Sequence, residues 1–202
     1  MTITKLKPSA TNDQIVSAAQ RVLVRDGGAG LSTRSVAAEA DVSLSLIHYH
    51  FGSREGLLLA VLDEMNAALI KRQQGLYERS DLAFSEKWRR AVAFYRADLK
   101  SGYVRILLEL AAEGFSNPQL ASRVRLAMRD WRDLLIGVAT TALPESRRSL
   151  LEPEELASII VSFWYGMELQ QLLGVPEEDG HFWQTLESIG RLLERWEGGA
   201  KG

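Results

Sequence analysis

The chain has 202 residues, 46% of them hydrophobic and 25% charged, with a net charge of −2 and no cysteine. This composition suits a soluble globular protein with one sizeable core, or a small domain beside a larger one. It excludes a disulfide framework and thiolate metal sites. The opening MTITKLKPSATND lacks the apolar run of a secretory signal, and no apolar run approaches the roughly 18 residues of a membrane span. The expectation is a cytoplasmic protein that engages no membrane.

Residues 1–10 read as a disordered arm carrying Lys5 and Lys7. A first helix begins after Thr11 or Asn12. Ile15, Ala18, Ala19, Val22 and Leu23 form its apolar stripe, and Asp26-Gly27-Gly28 ends it. Ser32 or Thr33 then caps a short helix whose Val36, Ala37 and Ala40 face inward, and the chain turns near Asp41. Ser43 caps a second short helix to about Tyr49. Its first turn, Ser43-Leu44-Ser45-Leu46, mixes hydroxyls with unanchored apolar groups and suits an exposed reading surface. His48, Tyr49 and His50 follow, with Phe51 as an anchor.

Gly52 breaks the chain, and Ser53 caps a long helix over 53–75 with Leu57, Leu58, Val61, Leu62, Met65 and Leu69 as its stripe. From about residue 81 the pattern stays helical. The expected helices are about 83–100, Val104–Gly114, Pro118 to about Leu143, a stretch opening at Pro153, and about 181–197. Ser101-Gly102, Pro144 with the polar stretch Glu145–Glu152, and Leu172–Pro176 separate them.

Two short helices joined by a tight turn, the second exposed, form a helix-turn-helix pattern. Thr33, Val36, Ala37, Ala40, Val42 and Ser43, then Ile47, Tyr49, His50 and Phe51, then Ser53, Arg54, Glu55 and Leu57 make it specific. Over residues 12 to about 65 the chain resembles the DNA-binding domain of the TetR family of transcriptional regulators. Two positions depart from the family pattern. Asp41 stands where the family usually has glycine, and His48 where it usually has tyrosine. Asp tolerates a left-handed turn better than most residues. Histidine can donate to a phosphate in a pH-dependent way.

The resemblance implies an all-α fold. A helix-turn-helix head would span 1–52, and a larger effector-binding and dimerisation domain 53–202, with 53–75 as the connecting helix. It implies double-stranded DNA with a near-palindromic operator as partner. Thr33, Arg34, Ser43, Leu44, Ser45, Leu46, His48, Tyr49, His50 and Arg54 would be the DNA contacts. Arg54, at a helix N-terminus, would clamp a phosphate. With no Gln, Asn or Lys on the reading turn, Arg34 and DNA shape would carry much of the specificity. The region 1–54 holds six basic and four acidic side chains, so the head is mildly basic and the body acidic.

A small-molecule effector is implied among the aromatic and polar residues of the body: Trp88, Tyr95, Phe115, Met128, Trp131, Trp164, Tyr165 and Glu168. The last two long helices are apolar over a wide arc and need two partners. Phe163, Gly166, Met167, Phe182, Leu186, Ile189 and Leu193 would therefore join two copies into a homodimer. No cofactor is expected. His48 and His50, two apart on a helix, do not share a face, and His181 is the one other histidine, so no metal site is expected. No phosphate-binding glycine loop or nucleophile elbow marks an enzyme. The expected function is transcriptional repression released by the effector. The rivals are a regulator controlled by a protein partner or by no effector, and an all-helical enzyme.

Overall fold

Every regular element of the computed structural model, which describes residues 8–142 and 151–199, is helical. The arm with Lys5 and Lys7, the stop at Pro144 and the polar stretch up to residue 150 lie outside the described residues. The helices are α1 (Pro8–Gly30), α2 (Thr33–Ala40), α3 (Leu44–Phe51), α4 (Arg54–Tyr77) and α5 (Phe84–Ser101), then α6 (Tyr103–Gly114), α7 (Pro118–Ala142), α8 (Pro153–Leu172), α9 (Glu177–Gly180) and α10 (Phe182–Gly199). None is long and apolar enough to cross a membrane.

Two compact units result. The first comprises residues 1–67 and 98–123, the second 68–97 and 124–202. Packing thus groups α6 with the N-terminal helices. The expected boundary after residue 52 falls inside the first unit.

In the first unit, α1 breaks where the glycines stand. Gly27 adopts φ 72°, ψ −178°, and one further turn runs to Gly30. Its core joins Ile15, Ala18, Ala19 and Val22 to Leu31, Val36, Ile47, Leu57, Val61 and Leu62, with Ile106, Leu107 and Leu110 from α6. Each large apolar side chain so buried contributes roughly 1.5–3 kcal/mol before entropy is charged against it. Tyr103 donates its hydroxyl to Asn66 Oδ1 at 2.7 Å, and both residues are buried. Gly102, at φ +82°, starts α6; a Cβ there would lie 2.6 Å from Leu23, so only glycine allows this close approach.

The second unit closes on its own contacts. Trp88 donates its indole N–H to the Leu186 carbonyl at 2.9 Å. Glu197 of α10 caps α5 across the sequence: its carboxylate accepts from the Phe84 amide at 2.6 Å and from the Ser85 hydroxyl at 2.5 Å. The Ser85 amide also reaches it at 3.3 Å, so two backbone N–H groups that α5 cannot satisfy internally are met. The Arg72 guanidinium lies 4.4 Å from the centre of the Phe94 ring.

Candidate nucleic-acid interface

The reading surface is built by three local devices. Ser32 caps α2 reciprocally with Ser35: each side-chain oxygen accepts from the other's amide, at 3.0 and 2.9 Å. Asp41 ends α2 in the left-handed conformation, φ 53°, ψ 48°, so the substitution of Asp for the family's glycine keeps the turn at the cost of strain. Ser43 then caps α3, accepting from the Leu46 amide at 3.2 Å. Gln14 of α1 donates to the Ala40 carbonyl at 2.8 Å and holds the end of α2.

With α2 and α3 so fixed, Val36, Ala37, Ala40 and Ile47 point into the core. Arg34, Ser43, Ser45, His48 and Tyr49 are exposed, and Thr33, Leu44, Leu46 and His50 are partly so. Tyr49 is 82% exposed, large for an aromatic ring, and its ring meets the edge of His50 at 5.1 Å. The Ser43 and Ser45 hydroxyls lie 2.9 Å apart, so one of them gives its proton to the other. His48 Nδ1 sits 3.2 Å from the Gly52 carbonyl. With the proton on Nδ1, the neutral ring's Nε2 is an acceptor, and only protonation makes it a donor to a phosphate oxygen.

Arg54 requires a correction. Its guanidinium, expected to clamp DNA, donates from Nε to the Leu31 carbonyl at 3.0 Å and from Nη2 to the Gly28 carbonyl at 3.4 Å. Nη1 lies 3.8 Å from Glu113 of α6. The side chain thereby braces the connection that delivers the chain into α2: the Leu31 carbonyl lies between the two helices, and the Gly28 carbonyl also accepts from the Leu31 amide at 3.2 Å. Arg54 is a positioning residue.

The head's charge is redistributed in the same way. Arg21 and Arg25 both bind Glu39, at 2.8 and 2.7 Å, and Arg25 also binds Asp26. Hydrogen bonds from Arg21 and Arg25 hold the Glu39 carboxyl below its usual range. Arg34 is exposed and makes no ion pair among the described residues. Among the described residues of α1–α3 it is the arginine without an ion pair.

The second unit brings together part of the expected effector set. Trp164 is central, with ring centres 4.6 Å from Tyr95 and 6.5 Å from Trp88. Phe182 joins at 6.4 Å from Trp164, and Trp183 at 4.6 Å from Phe182. Trp183 was missed in the sequence reading; the adjacent aromatic pair opening α10 was the available signal. The Tyr165 hydroxyl is buried without a hydrogen bond, and burial, then the charge of Glu168, pushes its pKa up. Met128 and Trp131 lie half-buried on α7. Phe115 does not belong with them. It stands in the first unit, 91% exposed, just past α6, where Gly114 turns the chain against Ala121.

The expected dimer set is corrected as well. Met167, Phe182 and Leu186 are buried inside the second unit, on the inner arcs of α8 and α10. Phe163 and Gly166 are exposed, and Ile189 and Leu193 half-exposed. The outer arcs expose apolar residues not expected there: Ile159 and Leu169 on α8, Leu173 just past its end, Leu192 and Trp196 on α10.

Comparison with known proteins agrees with this geometry. Residues 15–61 match the model of the family described as bacterial regulatory proteins, tetR family. A stretch of 58 residues is 40% identical to an uncharacterised HTH-type transcriptional regulator in the dhlA 5′ region of Xanthobacter autotrophicus, and covers 29% of either chain. A TetR-family structure from Streptomyces coelicolor A3 is 25% identical with a TM-score of 0.61, covering 91% of this chain and 97% of that one. A regulator from Saccharomonospora viridis, solved with choline, aligns at a TM-score of 0.68 and 22% identity, over 90% of this chain and 95% of that one. The multidrug binding protein EbrR, solved with proflavin, aligns at 0.59 and 25% identity, over 91% and 99%. The capped α2–turn–α3 surface and the match over residues 15–61 show a helix-turn-helix region of the TetR type, and the chain shares its fold with TetR-family regulators along most of its length.

Proposed function

We propose that the protein is a homodimeric repressor that reads a near-palindromic operator with α3 and releases it when a small molecule binds the second unit. The observation that carries this reading is the outward face of α3, held on the buried Ile47. Serine hydroxyls and half-exposed leucines there suit a major groove, where leucine can meet thymine methyls. Thr33 and Arg34 begin α2 beside it, and His48, Tyr49 and His50 supply backbone contacts. Residues 1–52 act as the head and 53–202 as the body in this scheme, and a cytoplasmic location goes with it.

Dimerisation is supported by the exposed apolar arcs of α8 and α10. Ile159, Phe163 and Leu169 recur along one helix with Leu173 just past its end, Leu192 and Trp196 along the other. Exposed apolar stripes of this kind mark association sites. Two-fold symmetry would then present two heads to two half-sites.

The effector reading rests on the aromatic cluster around Trp164, and on the ligand complexes of EbrR and the S. viridis protein. In this scheme the change passes along helix α4, which begins in the first unit and ends in the second. The effector must bind the DNA-free conformation more tightly; otherwise it shifts nothing. The close contact of the rings, 4.6 Å between Tyr95 and Trp164, favours a second reading, a regulator that takes no small ligand in that cluster.

Selection from random duplex DNA at two salt concentrations tests the proposal. Enrichment of a near-palindrome, lost with Arg34→Ala, supports it. Weak salt-sensitive binding without enrichment would overturn it.

A further inference from the structure

The arc of α10 turned away from the apolar stripe borders a groove. At 3.6 residues per turn, Gly190 falls about 120–160° around α10 from Leu192 and Trp196, with Leu186 and Arg191 flanking it at about 80–140°, so a dimer built on that stripe leaves the Gly190 floor uncovered. α5 supplies the other wall with Trp88, Val92 and Arg96, and the groove, open to solvent, has a volume of about 390 Å³. This lies in the range of small-ligand sites, roughly 300–1,000 Å³.

The floor is apolar by construction. Trp88 has already given its N–H to the Leu186 carbonyl, so the ring offers carbon surface. Gly190 keeps the floor clear, since a Cβ there would sit 3.3 Å from Trp88 Cδ1.

The walls carry three guanidiniums and two carboxylates, Glu187 and Glu194. Arg89 is engaged with Glu86 at 3.0 Å and Glu194 at 3.6 Å. Arg96 lies over the Trp183 ring at 4.5 Å, and Arg191 donates to the Ser188 hydroxyl at 2.8 Å. Among the described residues neither has a carboxylate partner. Two guanidiniums without a carboxylate partner, on the two helices that wall the groove above a carbon floor, match a carboxylate on a flat apolar body. A cation meets the wrong sign. A neutral molecule leaves both forks unused. Glu187 lowers the net positive charge and favours a monoanion over a dianion.

We propose that the α5–α10 groove binds a small aromatic monocarboxylate between Arg96 and Arg191. This goes beyond the regulatory reading and does not depend on DNA binding.

Calorimetric titration of the full chain with 1-naphthoate tests it, with the uncharged isostere 1-naphthamide as control. We expect saturable binding, one per chain. Arg96→Ala and Arg191→Ala should each weaken it about tenfold, as expected for a lost charge-assisted bond, with unchanged melting temperatures. Naphthamide should bind at least about tenfold more weakly. Gly190→Val should abolish binding by filling the floor; if that variant does not fold, the two arginine variants still decide. Absence of saturable binding, equal affinity for naphthamide, or full affinity in the double arginine variant would each overturn the proposal.

Discussion

Arg54 donates to the carbonyl of Leu31, 23 residues earlier, at 3.0 Å, and so ties the start of α4 to the turn that launches α2. An arginine at a helix N-terminus beside a helix-turn-helix invites a phosphate role. The geometry makes it a strut instead. We expect Arg54→Ala to lower stability by about 1.5–3 kcal/mol, the range for charged hydrogen bonds, read from urea unfolding. It should leave the salt dependence of DNA binding nearly unchanged. Arg34→Ala should do the reverse: little change in stability, and a log–log salt slope smaller by about one.

Gly56 is a stricter requirement than the sequence suggests. A Cβ at this position would lie 2.0 Å from the Phe51 carbonyl oxygen, which is backbone and cannot swing aside. Alanine favours helices elsewhere, yet here Gly56→Ala should cost about 2–3 kcal/mol through forced backbone displacement. A lowered melting temperature checks this, and unchanged stability would refute the tight junction between α3 and α4.

Asp41 offers the opposite case. It holds φ 53° as a non-glycine residue. Asp41→Gly should stabilise the head by about 0.5–1 kcal/mol by removing left-handed strain. Asp41→Val should destabilise it by more than that, since a β-branched side chain tolerates the conformation poorly. Thermal unfolding of both variants gives the sign.

Phe182 and Ile159 should separate folding from assembly. Phe182 is 2% exposed, so Phe182→Ala should cost about 3–5 kcal/mol and behave as a folding defect. Ile159 is 58% exposed, so Ile159→Glu should leave the unfolding transition of the chain in place. In sedimentation it should shift a dimer toward monomer. A variant that stays dimeric would remove α8 from the interface.

Acid should loosen the anchoring of α2 to α1. Glu39 has a folded pKa lowered from its ordinary 4.5 by hydrogen bonds from Arg21 and then Arg25. A depressed carboxylate pKa stabilises fully above the unfolded value and loses its contribution as pH falls through the folded one. Stability should therefore decline below about pH 4.5, and the decline should be shallower in Glu39→Gln. Melting temperatures measured down the acid range test this; identical slopes would show that the cluster is screened away.

Local chemistry made much of the head legible. Ser32, Ser43 and Ser53 were readable as caps because N-capping involves a side chain and an amide two or three residues away. Val36, Ala37, Ala40 and Ile47 announced their burial through spacing alone. What spacing could not say was where a long flexible side chain spends its donors. Arg54, Arg21 and Arg25 each had solvent, phosphate and protein partners open to them. The choice depended on carbonyls and carboxylates brought near by α1, α2 and α6.

The body shows the same limit. Phe182, Leu186 and Met167 read as apolar positions on helices with two apolar arcs, and the sequence by itself determined that both arcs needed cover. Which arc faces inward was decided by tertiary structure, through the ring contacts of Trp164 and the Trp88–Leu186 bond. Helical periodicity fixes which residues share a face. It carries no information about which face meets the core, because that depends on contacts between segments about a hundred residues apart, such as Phe84 with Glu197.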